Sequence, residues 1–384
     1  FGPHGKGYGV KCPRDGEPHC SYVDSLARQH KDQATFLLTW FWGLTPRTVI
    51  SALQNHCRKA GLSAAKTFVW QCAVCNNQFR IERTKAKGEY EEFGPFSRLF
   101  AHRVQSIGKI VALMSPWHRP EILRRVWCVY EIDIASSPDN PVDFQVTLPE
   151  DDEQGLSEAI MVGTGLHVVY EVFEKVRVQE STATSQDDVK NILRLIDPSK
   201  EPQVEEVRGP RPCFKVLGYE RSAPCNKVNA RVIEVLQAWF IRAVAERTSN
   251  MISQRSPHYL QASSAMIDLA GTASKWSIAA STYEAAVMAS RSDTSSGADD
   301  AKVFATLLMK MGVVHLRQGR FDNAMAAYAE AKAAFEAAGA TGTPGFATLL
   351  MNMGVVHQQQ GRFGDAMAAY AEAKAAFEAA GATG

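Results

Sequence analysis

No apolar run in this sequence approaches the roughly 18 residues that would carry a helix across a membrane, and no signal-peptide pattern is visible. An excess of one charge is missing too. The 42 Lys and Arg stand against 41 Asp and Glu, and no basic block breaks the balance, so nothing marks a nucleic-acid partner. Eight cysteines are scattered without a disulfide framework, as in reducing compartments, which points to the cytoplasm. The chain holds no P-loop, zincin helix or nucleophile elbow. Glycines at 2, 5, 7 and 9 do not make a phosphate loop, because no Lys-Ser/Thr follows them and no strand precedes them. Sustained heptads are absent from the N-terminal half as well. At 384 residues there is room for two or three domains.

What the chain does have is a repeated sentence. Phe304 begins FATLLMKMGVVHLRQGRFDNAMAAYAEAKAAFEAAGATG, and Phe346, 42 residues later, begins nearly the same string. That period suits a stacked helical array. In each copy Leu307, Leu308, Met311 and Val314 are spaced three and four apart, as on one helix face. Gly319-Arg320 breaks that helix, and a second runs from Phe321 through Met325, Tyr328 and Phe335 to a stop at Gly339. Alanines at 324, 327, 331 and 334 allow close helix approach. Gly312 and Gly354 sit inside helices, where glycine costs about 1 kcal/mol relative to alanine, so each predicts tight packing against the partner helix. One hairpin cannot bury its own apolar face, so neighbours must stack.

Asn352, Gly354, Gln360-Gly361, Phe363, Ala366, Tyr370 and Ala373 resemble the tetratricopeptide (TPR) pattern. The 42-residue spacing with the Asn-x-Gly and Gln-Gly pairs is similar to the longer repeats of kinesin light chains, although His315 and His357 replace the family's usual aromatic. A degenerate copy lies upstream, with Trp276, Ala279, Tyr283 and Ala286 preceding their counterparts by 45 residues. Its connection, SRSDTSSGADD, reads as a mobile loop. The expected repeats are 263–300, 304–342 and 346–384 within an array from about 260, and the sequence reads as a piece of a longer one. The resemblance implies a concave groove lined by Thr306, Met309, Val313 and Leu316, then by Thr348, Met351, Val355 and Gln358. The Lys and Asn that clamp a C-terminal carboxylate in some relatives are absent at Met309 and Val313. An apolar or helical peptide ligand is therefore expected, or else faces that only support neighbouring repeats.

Residues 1–33, rich in Gly, Pro, His and charge, read as a poorly ordered lead-in. Cys12, His19 and Cys20 could join Cys72 and Cys75 on a metal, but the pair spacings do not recur and unpaired thiols are the plainer reading. From residue 34 strands and helices alternate. Thr35–Trp42, Thr67–Val74, Ile110–Met114, Val142–Leu148 and Val176–Thr182 are strand-like. Helices are expected from Pro46, over Phe96–Ile107, from Pro120, over His167–Lys175 and from Ser185 to Ile196. Such alternation argues for a parallel sheet covered on both faces. Prolines at 198, 202, 210, 212 and 224 mark an insertion or hinge over 198–226, and Val228–Arg247 is an amphipathic helix.

Ser115-Pro116-Trp117 before Trp127-Cys128-x-x-Glu131-Ile132 resembles the TIR fold, which joins a strand ending in Ser-Pro to a helix reading Trp-Cys-x-x-Glu-Leu. The resemblance implies a TIR-like, flavodoxin-like α/β domain over 34–247, ahead of a TPR α-solenoid over 260–384. Some TIR domains cleave NAD with a glutamate four residues after this tryptophan, which makes Glu131 the candidate catalyst. Trp127, Thr39 and Gly43 are then candidates for holding NAD as substrate; no bound cofactor or metal is expected. A glutamate beside an apolar stripe is also, commonly, a solvated flank. His102, His118 and His167 are isolated and suggest no catalyst. The leading expectation is a signalling scaffold that binds a protein partner and can self-associate. The alternatives are an NAD glycohydrolase clustered by its repeats and a kinesin-light-chain-like cargo adaptor.

Overall fold

The run of bulky apolar residues after Ala34 becomes β1 (Phe36–Thr39), buried at all four positions, as a central parallel strand must be. The structure, a computed structural model, describes residues 4–87, 93–138, 142–209, 212–291 and 298–381. It divides into two compact units, one made of Phe1–Gly155 and Val172–Leu236, the other of Leu156–Glu171 and Gln237–Gly384.

In the first unit, Thr45 caps α1 (Pro46–Lys59), its hydroxyl accepting from Thr48 N at 3.2 Å with proline in the first turn. Then come β2 (Val69–Trp70), the single turn α2 (Cys72–Cys75), α3 (Gln78–Ala86), α4 (Phe93–Ile107), β3 (Lys109–Leu113), α5 (Val126–Ala135) and β4 (Asp143–Thr147). The four strands are parallel, in the order β2-β1-β3-β4. Phe36, Leu38, Val111 and Leu113 face Val49 and Ala52 of α1. On the opposite side α4 and α5 touch β1 and β3. Two buried bonds tie α1 to the end of β4: Asn55 Nδ2 donates to Leu148 O and Thr147 Oγ1 donates to Ala52 O, both at 2.9 Å. Because β2 and β3 flank β1 on opposite sides, the loops leaving β1 and β3 diverge at their carboxyl ends, the place where parallel sheets open a crevice.

Expectation and structure part at several segments. Thr67–Val74 yields only a two-residue strand, since Gln71 turns the chain into α2. Val176–Thr182 is not a fifth sheet strand but contains a 3-10 turn, Val178–Glu180. Its apolar side chains are buried, and Val178 N is held by Asn229 Oδ1 at 2.8 Å. The proline-rich stretch, expected to be an insertion or hinge, carries an antiparallel pair, β5 (Gln203–Glu206) with β6 (Phe214–Leu217); residues 210–211 lie outside the described residues. Ser185 precedes the helix as expected but makes no side-chain cap. Ahead of β1, residues read as poorly ordered form turns in which Cys12 and Cys20 are buried and Arg14 pairs with Asp24 at 3.0 Å.

The remaining helices are α6 (Glu150–Val162), α7 (Leu166–Glu174), α8 (Gln186–Ile196), α9 (Ala223–Ser253), α10 (Tyr259–Thr272) and α11 (Trp276–Arg291). Two hairpins follow: α12 (Ala298–Arg317) with α13 (Phe321–Ala337), and α14 (Pro344–Gln359) with α15 (Phe363–Ala379). Of the connection expected to be a mobile loop, residues 292–297 lie outside the described residues. Leu308, Met309, Ala324, Tyr328, Phe335, Phe346, Leu350, Val356 and Ala373 share one core cluster, so the two hairpins bury a continuous seam rather than two separate cores. Thr343 caps α14, and Lys332 Nζ reaches Glu372 of the following hairpin at 2.9 Å. Among the described residues no helix is long and apolar enough to cross a membrane.

Candidate functional site

Glu131 lies one turn after Trp127 on α5, which is apolar almost all round and therefore buried. Only 8 % of Glu131 is exposed, and burial pushes its carboxyl up to about 8. The Thr39 hydroxyl, at the carboxyl end of β1, offsets part of that rise. It stands close enough to affect the charge, yet Thr39 Oγ1 is buried without a well-formed hydrogen bond among the described residues. No described arginine or lysine pairs with Glu131. Two thiols complete the cluster. Cys72 is pushed up to about 12 by burial and by the Glu131 charge, with the Trp40 and Trp42 side chains pulling the other way. Burial also raises the Cys128 thiol well above its ordinary value, and its Sγ donates to Trp40 O at 3.3 Å. Trp40 Nε1 is also buried without a well-formed hydrogen bond. Trp42 stacks on Trp40 at 6.0 Å and is 51 % exposed, so it forms the outer cover.

The structure therefore brings Glu131 and Thr39 together. Gly43 lies farther along the same loop, where an added Cβ would meet the Phe41 ring at 2.2 Å; glycine is what lets that ring fold back. Arg125 sits over the same ring at 5.5 Å. Trp127 packs edge-on against Phe100 at 6.0 Å and Tyr130 at 6.4 Å. The loop after β3 is pinned separately: Ser115 Oγ and Trp117 N both donate to Asp152, at 2.6 and 2.9 Å.

A cleft of about 360 Å³ opens elsewhere, lined by Gln105, Tyr130, Asp133, Leu195, Lys227 and Arg231 among others. Asp133 is two residues from Glu131, about 200° round the helix, so one carboxyl faces the cleft and the other does not. Arg231 pairs with Asp133 at 2.6 Å, yet burial still holds the Asp133 carboxyl above its ordinary value. Nothing in the spacing of α5 announced this pair, because its partner comes from α9, 98 residues away. Among the described residues no three His, Cys, Asp or Glu side chains gather as metal ligands; His19 Nδ1 instead accepts from Gly9 N at 2.9 Å.

In the hairpins, the eight expected groove positions differ in exposure. Thr306 and Thr348 each turn their hydroxyls back onto the helix, donating to Lys302 O at 2.9 Å and Pro344 O at 2.8 Å. Met309 is 9 % exposed and belongs to the core cluster, with Val313 and Leu316 packed against it. Its counterpart Met351 is 41 % exposed, Val355 is half-buried, and Gln358 is exposed while accepting from Tyr370 OH at 2.8 Å. In the first set Met309 is buried and the other three are half-buried, whereas Met351 and Gln358 of the second set lie open to solvent.

A model of the tetratricopeptide repeat matches residues 303–379. Among solved structures, the crystal structure of BtubC (BKLC) from P. vanneervenii is similar at 20 % identity and a TM-score of 0.32, covering 36 % of this chain. This chain spans 57 % of the length of that one. None of the curated proteins compared with this chain matches it.

Proposed function

We propose that the protein is a cytoplasmic signalling scaffold whose repeats hold an apolar or helical peptide of a protein partner. The observation that carries this reading is the match to tetratricopeptide repeats, a type built for binding protein, on a pair of stacked hairpins with Met351 and Gln358 exposed and Val355 half-buried along α14. Eight free thiols suit a reducing compartment. Displayed-peptide selection on the full chain should recover apolar sequences. Met351→Glu should weaken them at least tenfold with an unchanged helical circular-dichroism signal. Selected peptides indifferent to Met351→Glu and Gln358→Lys would remove the reading. Met309 is unsuitable for this test, since a charge there would disturb the core. A cargo adaptor of the kinesin-light-chain type is a narrower form of the same idea and rests on the 42-residue spacing.

A second reading takes the first unit as a TIR-like domain that cleaves NAD through Glu131. It is favoured by the placement of Glu131 beside Thr39 at the carboxyl end of a parallel sheet, with Thr39 Oγ1 and Trp40 Nε1 buried without a well-formed hydrogen bond among the described residues. Stabilising positive charge on the ribose as nicotinamide leaves requires the ionised carboxylate. With its carboxyl at about 8, Glu131 is mostly protonated at neutral pH, and the Trp42 cover must move to admit a dinucleotide. Nicotinamide release should therefore rise between pH 7 and 8, and Glu131→Gln should lower it by roughly a hundredfold or more. No release from the full chain, or equal release from the variant, rejects this reading.

A further inference from the structure

The cleft bounded by α4, α5, α8 and α9 takes part in neither function proposed above. Its lining residues all belong to the first unit, and its volume of about 360 Å³ is in the range of small-molecule sites. One wall carries more positive charge than the cleft neutralises. Lys227 and Arg231 are four residues apart on α9, so they share a face, an arrangement that destabilises a helix when no anion offsets it. Among the described residues the only carboxylate lining the cleft is that of Asp133, and it is already engaged. Arg231 Nε and Nη2 both reach its Oδ1, at 2.7 and 2.6 Å. Lys227 makes no ion pair among the described residues.

Neutral donors and an apolar wall complete the site. Burial, with the Asp133 charge adding to it, pushes the Tyr130 phenol up to about 12, so it keeps its proton and can donate. Gln105 of α4 adds an exposed amide. Ile134, Ile196 and Val228 supply hydrocarbon. α8 already packs through Val189, Ile192 and Leu193, yet Leu195 is left 41 % exposed at the cleft. We infer that the cleft binds a small organic carboxylate with an apolar body. Its charge lies on Lys227 and on the N–H groups of Arg231 that Asp133 does not use, and its hydrocarbon lies against Leu195, Ile134 and Val228. Two cations against one carboxylate leave a single positive charge, which suits a monoanion rather than a polyphosphate. An inorganic anion would leave the apolar wall in water.

Titration calorimetry of the full chain with octanoate, octylammonium and acetate at millimolar concentration tests this. Octanoate should bind saturably at one site per chain, and the other two should not. Lys227→Glu, at an exposed position, should weaken octanoate by about tenfold or more with an unchanged helical circular-dichroism signal. Lys227→Arg should keep the binding, and Leu195→Ser should weaken it through the apolar wall alone. Lys175→Glu makes the same charge change at an exposed residue outside the cleft and should have no effect. No saturable octanoate binding, equal binding of octylammonium or acetate, or octanoate binding indifferent to both Lys227→Glu and Leu195→Ser would overturn the inference. So would equal losses from Lys227→Glu and Lys175→Glu, which would mean a diffuse field rather than a site. Peptide capture and nicotinamide release can each fail without touching this result.

Discussion

Gly312→Ala is expected to destabilise the second unit by about 2 kcal/mol in the natural sequence and to stabilise it by about 1 kcal/mol once Tyr328 is replaced by Ala. The reversal follows from one contact. An added Cβ at Gly312 would lie 2.2 Å from Tyr328 Cε1 and 2.5 Å from Cδ1, which no non-bonded pair of carbon atoms tolerates. Tyr328 is fully buried among Ala305, Leu308, Ala324 and Phe335, so its ring has nowhere to turn. Overpacking of that kind costs about 1–3 kcal/mol, and the upper end applies where a ring cannot rotate. Against it stands the helix preference for alanine over glycine, about 1 kcal/mol. Tyr328→Ala alone should cost about 3–5 kcal/mol through the cavity it leaves. With the ring gone, only the helix preference remains at 312. Urea unfolding of the four proteins, followed by helical circular dichroism, gives the coupling directly, and a change of the same sign in both backgrounds would refute the account. The equivalent pair in the next repeat is a built-in comparison. Gly354 would place its Cβ 2.5 Å from Tyr370 Cε1, but Tyr370 is half-buried and can swing outward at the loss of its bond to Gln358. The second substitution should therefore be milder.

That contact was the part of the molecule most open to reading from residues alone. A glycine inside a helix pays a propensity cost that only close approach explains, and a period repeated with near identity shows where the approaching residue must come from. The parallel sheet was legible for a similar reason: Phe36–Thr39 and Ile110–Met114 are short apolar runs, each followed by a helix start. Where the reading missed, the signal was ambiguous. Val176 and Val178 are buried, as their apolar character demands, but burial in a turn leaves the same trace as burial in a strand. The two-residue β2 ends where Gln71 starts a turn held by Cys75 N donating to Gln71 O at 2.9 Å, an event with no pattern of its own. Repeat position placed Met309 on a helix face but could not say that it would be buried while Met351 stayed open. For Glu131 the sequence offers a candidate catalyst or, more plainly, a solvated flank beside an apolar stripe, and burial rules out the flank. In the structure α5 has no exposed edge there, because Cys128, Val129 and Ile132 are buried on successive sides of it.

Replacing that glutamate should flatten one component of the pH dependence of stability. The Glu131 carboxyl sits at about 8 in the folded protein against an ordinary value of 4.5, and the cause is desolvation. Between those values the folded chain keeps a proton that the unfolded chain has released. Stability then falls as pH rises, at about 1.4 kcal/mol per pH unit. The contribution of the protonated form is fully present below about 4.5 and lost by about 8, a change on the order of 5 kcal/mol. Glu131→Gln keeps the size and polarity and removes the proton. The variant should match the natural protein near pH 4.5, pull ahead steadily above it, and hold a constant advantage beyond pH 8. The difference between the two proteins is the quantity to follow, because Asp133, raised, and Asp197, lowered, titrate in both. Tryptophan fluorescence suits the measurement, since Trp40, Trp42, Trp70, Trp117 and Trp127 all lie in the first unit. Parallel profiles for the two proteins would mean that Glu131 is already ionised in the folded state, and its hidden position would then need a cation that the structure does not place beside it. A diverging pair of profiles would instead locate the proton that any chemistry at this carboxyl must first release.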